Sequence, residues 1–65
     1  MKRFVKEYAK FRINEINSLI ELSTFPATIE RLTNARSEIF QLAKACEMGL
    51  ITNSEVMRAI ASISF

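Results

Sequence analysis

Apolar residues recur at positions 4, 5, 8, 9, 11, 13, 16, 19, 20 and 22, with polar or charged residues between them. Gaps of three and four belong to an α-helix, whereas a half-buried strand would alternate at every second residue. At 100° per residue the apolar set covers about half of the helix circumference. Arg3, Glu7, Lys10, Asn14, Asn17, Ser18 and Glu21 take the other side. The spacing predicts a helix over about residues 2–22. Two charges, Arg12 and Glu15, interrupt the apolar face, and three residues apart they can pair across one turn. On the polar side, Arg3 with Glu7 and Glu7 with Lys10 have the spacing of helical ion pairs. The apolar face is wider than one small helix covers. Either both other helices pack on it, or a second copy of the chain does.

The single Pro and the single Gly divide the rest. Pro26 disfavours helical backbone at Phe25 and suits the first position of a new helix, where its missing N–H is not needed. A second helix is therefore predicted over about 26–48, with an apolar stripe of Ile29, Leu32, Ala35, Ile39, Leu42, Ala43 and Cys46 and with Phe40 at its edge. Gly49 fits the left-handed residue just past a helix end. Thr52 and Glu55 make the T-x-x-E pattern of a capping box, and Ile51 and Val56 have the spacing of a hydrophobic staple. These signals start a third helix at about residue 53. It runs to about 63, with Val56, Met57, Ile60 and Ile63 on one side and Arg58 facing out. The expected fold is all-α: one small helical domain over residues 1–65, in which a long antiparallel hairpin carries a short third helix folded back over one end.

Length makes partners a question. A chain of 65 residues buries only about 60% of its unfolded surface and is marginal alone. Cys46 is the only cysteine, so no disulfide can form within the chain, and one unpaired thiol suits a reducing compartment. Within the apolar stripe it reads as a buried, inert thiol. His and Asp are absent and the seven Glu are scattered, so neither a metal site nor a cofactor is expected. The same absences, with a single Gly, leave no His for acid–base chemistry and no glycine-rich phosphate loop, and the reading is non-enzymatic. The charged stretch after Met1-Lys2-Arg3 is not the apolar core of a signal peptide, and no run is long enough to span a bilayer, so the expectation is a cytoplasmic protein.

The net charge of +2 is unevenly placed. Lys2, Arg3, Lys6 and Lys10 stand against Glu7 alone in the first ten residues, giving +3, and the remainder sums to −1. Lys2, Arg3, Lys6 and Lys10, with Arg58, are the candidate contacts for nucleic acid or another anion. The aromatic residues Phe4, Tyr8, Phe11, Phe25 and Phe40 exceed what so small a core needs. They either fill the core of one chain or form a self-association surface, since aromatics anchor interfaces.

The stretch "QLAKACEMGLITNSEVMRAI", residues 41–60, resembles the helix-turn-helix of phage repressors in its Ala45, Gly49 and Leu50. It departs at Glu55 and Arg58, which stand where that pattern has aliphatics. The run "EIFQLAKACEMGLITNSEVMRAIASI", residues 38–63, resembles the SHOCT-type short C-terminal domain, with Gly49, Leu50, Ile51, Thr52 and Glu55 in matching order at the end of the chain. It departs at Val56, where an aromatic is usual, and lacks a Lys-rich second helix. The run is also similar to small helical proteins of Gram-positive mobile elements. The SHOCT-type resemblance implies an assembly or tethering role. The functional expectation is a non-catalytic helical interaction module or regulator that forms a homodimer or binds a protein partner. The alternative is a nucleic-acid-binding regulator acting through residues 41–60 or the basic start of the first helix.

Overall fold

The computed structural model describes residues 1–65 and contains three helices: α1 (Arg3–Leu22), α2 (Pro26–Glu47) and α3 (Asn53–Ser62). All six boundaries lie within one residue of those read from the sequence. No helix is long and apolar enough to cross a membrane.

The α1–α2 connection is short, and Pro26 sits at the first position of α2 after an extended Phe25. The α2–α3 corner is more elaborate. Gly49 has φ +77°, the left-handed conformation expected of it. Its N–H donates to the Cys46 carbonyl at 3.1 Å, and the Leu50 N–H donates to the Ala45 carbonyl at 2.9 Å. These two bonds make a Schellman motif, which satisfies carbonyls that a helix end leaves without partners. Two residues on, the Glu55 N–H donates to Thr52 Oγ1 at 3.1 Å and the Thr52 N–H donates to Glu55 Oε1 at 3.0 Å. The capping box is complete.

Two contacts fix the course of α3. The Lys2 N–H donates to Asn53 Oδ1 at 3.0 Å at one end of α3, and Arg12 Nη2 donates to the Ile63 carbonyl at 2.9 Å at the other. Lys2 to Arg12 and Asn53 to Ile63 are equal lengths of helix, so α3 runs alongside the first half of α1 and in the same direction. The core lies among the three helices: Val5, Ala9 and Ile16 from α1, Leu32, Ala35, Ile39 and Cys46 from α2, and Val56 and Ile60 from α3. Cys46 is buried as expected. Beyond Ile16 and Leu32, toward the hairpin tip, no residue is buried, because α3 does not reach that far. The outline is accordingly elongated, 37 × 17 × 16 Å.

Two expected ion pairs are absent. Arg3–Glu7 and Glu7–Lys10 do not form, and Arg12–Glu15 at 2.9 Å is the one salt bridge of the molecule. Fully solvated long side chains gain little from pairing and lose rotamer freedom when they do. Arg12 is held from several sides and loses little more.

Candidate interaction surfaces

The aromatic residues divide between core and surface. Tyr8 packs against the core cluster. Phe4, Phe11, Phe25 and Phe40 are 56%, 63%, 70% and 55% exposed. A single-chain core is therefore ruled out as the role of the four phenylalanines, although α2 and α3 both pack on α1. The width of the α1 apolar face is the reason: the two helices cover its centre, around Val5, Ala9 and Ile16, and leave one flank bare.

That flank is a stripe. At 100° per residue Phe4, Tyr8, Phe11, Glu15, Leu19 and Leu22 fall within about 80° of one another, with Tyr8 half-buried where the stripe meets the core. The stripe runs the length of α1, about 27 Å from Phe4 to Leu22 at 1.5 Å per residue. Leu22 is 80% exposed. Glu15 alone breaks the apolar sequence, and its carboxylate is bonded to Arg12 Nη1. Leu19 and Leu22 belong to the apolar spacing of α1 but are not among the self-association candidates read from sequence, although their spacing from Phe11 places them on its face. Phe25 sits beyond Leu22 at the hairpin tip. Phe40 lies elsewhere, on α2, in a groove that includes Lys6 and Lys10 of α1. These lysines lie more than about 90° around the α1 axis from Phe11. The five aromatics thus do not form one cluster.

The basic candidates also separate. Lys6 and Lys10 meet Lys44 of α2 around an open groove of about 450 Å³ that contains Phe40 and is also lined by Glu47. Lys2 and Arg3 flank a shallow recess beside Phe4, with Glu7 on its edge. Arg58 stands apart on α3, where its charge acts on Glu55. Lys44 was not anticipated, because nothing in the sequence alone says which α2 residue faces Lys6.

Arg12 has a larger role than its spacing from Glu15 suggested. Its guanidinium donates to Glu15 and to the Ile63 carbonyl and lies 4.4 Å from the centroid of the Phe65 ring. Its Nε is buried without a partner. One side chain thereby ties the end of α3 and the chain terminus to the middle of α1. At the corner, Asn53 accepts from the Lys2 N–H and lies 3.8 Å from Cys46 Sγ, and Glu55 is bonded to Thr52. The Glu55 carboxyl is held below its ordinary range, chiefly by the Thr52 backbone N–H, then by the Thr52 side chain and Arg58.

Comparison with protein-family models, curated proteins and solved structures gives no match.

Proposed function

We propose that this protein is a non-catalytic helical interaction module that self-associates through α1. The observation that carries this reading is the bare stripe of Phe4, Phe11, Leu19 and Leu22 on a helix whose opposite side is already packed. An exposed apolar stripe on a small fold marks an interaction site, since leaving it in water forgoes roughly 25 cal/mol for every Å². The resemblance of residues 38–63 to SHOCT-type domains supports an assembly or tethering role of the same kind. Sedimentation equilibrium tests the reading. A mass that rises from one chain toward two with concentration is the expected result, and one chain at every concentration would overturn it.

One observation favours a second reading, nucleic-acid binding: Lys44 joins Lys6 and Lys10 around a single groove with an exposed aromatic, Phe40. Cationic grooves with an aromatic platform suit a phosphate backbone and its bases. The 41–60 element supports this reading less, because Asn53 and Glu55 are engaged within the corner. Titration with random duplex and single-stranded DNA at low and moderate salt discriminates. Tight binding that falls steeply with salt would favour it, and no binding at low salt would remove it.

A further inference from the structure

We infer that the partner of the α1 stripe is the α1 stripe of a second copy, packed antiparallel about a two-fold axis near Ile13. This deepens the self-association reading and rests on it.

Four observations point to this occupant. The first is charge along the helix. The first ten residues carry +3, while residues 11–22 carry Arg12 against Glu15 and Glu21. A surface that is basic at one end and acidic at the other matches its own two-fold image, as an isologous interface requires. The second is the helix dipole. A helix N-terminus favours negative charge and a C-terminus positive charge. In α1 the first turn holds no acidic residue and the last turn no basic one. Instead, Arg3 stands at the start and Glu21 at the end. Antiparallel pairing brings Glu21 of the partner to the N-terminal pole and Arg3 of the partner to the C-terminal pole, so both mismatches are corrected at once. On a helical projection Arg3 and Glu21 share one side, about 80° beyond Phe11 at the edge of the stripe, so they flank an antiparallel pair and act across it at a distance and not in contact.

The third observation is shape. A two-fold near residue 13 places Leu22 of each copy against Phe4 of the other. Beside Phe4 is the shallow recess flanked by Lys2, Arg3 and Glu7, and Leu22 is the most exposed large apolar residue of the chain. The fourth is area. The chain exposes 4638 Å². A monomer of 7.4 kDa is expected to expose about 4,200 Å², so the chain exposes roughly a tenth more surface than a compact monomer of its size.

Arg3 and Glu21 are exposed and make no hydrogen bond or ion pair within the chain, so exchanging their charges leaves the fold intact. The test compares, by sedimentation equilibrium at low salt, the unaltered chain, Arg3→Glu, Glu21→Arg and the double variant, with helical circular dichroism as the check on folding. Each single variant is expected to weaken the dimer about threefold at low salt, as two long-range attractions across the margin of the pair become two repulsions, and the effect is expected to fade as salt is raised. The double variant is expected to restore it. An equimolar mixture of the two single variants is also expected to pair, because every contact then joins Arg to Glu. Leu22→Glu should abolish pairing in any charge background. If the unaltered chain dimerises but the charge variants behave like it, the antiparallel α1 interface is wrong while self-association stands. If the unaltered chain is a monomer throughout, both fall. A monomer that binds anionic vesicles through Phe4 and Leu22 would assign the stripe to a lipid surface and overturn the proposal.

Discussion

At the scale of single residues, the corner from Gly49 to Glu55 has the most to test. Gly49 is left-handed, and a Cβ built there meets nothing within 4 Å. The cost of Gly49→Ala is thus backbone strain alone, about 1–2 kcal/mol for an L residue in that conformation. Thr52→Ala removes the Oγ1 acceptor and is expected to cost about 1 kcal/mol, with no effect on self-association. Both costs are read from the denaturant midpoint at constant slope. Glu55 adds a dependence on pH. Its folded pKa lies below the ordinary value of 4.5, so its contribution is fully present above that value and is lost as pH falls through the lowered one. Glu55→Gln keeps a cap acceptor without the charge. It should therefore unfold with a shallower acid dependence than the unaltered protein, and equal slopes in acid titration would show that the carboxylate contributes nothing.

At the scale of elements, Arg12 decides how firmly α3 is held. Arg12→Lys keeps one positive charge but loses the planar fork that reaches Glu15 and Ile63 together and covers the Phe65 ring. The expected cost is about 2 kcal/mol, the range for hydrogen bonds to a charged group. Amide exchange should accelerate first at the end of α3 and only weakly in α2; uniform acceleration would mean that Arg12 stabilises the whole bundle equally. The helices themselves were legible in the sequence because Pro26, Gly49 and the Thr52–Glu55 pair are local signals whose chemistry is complete within a few residues. The role of Arg12 was not. Its partners Ile63 and Phe65 are more than fifty positions away, and spacing along one helix reveals only Glu15. The same limit applies to Lys44 and the α1 lysines. The exposed stripe lies between these cases. Its spacing could be read, but which part of a wide apolar face α2 and α3 would leave uncovered depends on how they pack.

At the scale of the whole molecule, the design is a hairpin of which only one half is backed by a third helix. Nine residues form the core, and all lie at or below the level of Ile16 and Leu32. A molecule with so small a core gains stability from anything that binds only its folded form. If α1 pairs with a second α1, the midpoint of thermal unfolding rises with protein concentration in the unaltered chain and stays constant in Leu22→Glu. Scanning calorimetry over a wide range of concentrations measures both.

The unbacked hairpin tip has a consequence for the lifetime of the chain. Ser23, Thr24 and Phe25 connect two helix ends that α3 does not reach, and Thr24 and Phe25 are exposed. In a free copy this exposed turn is open to proteolytic nicking on the N-terminal side of the Phe25–Pro26 bond. In the proposed antiparallel pair, Leu22 of each copy would lie against Phe4 of the other, a few residues from that same turn. Pairing would then shield the turn from cleavage.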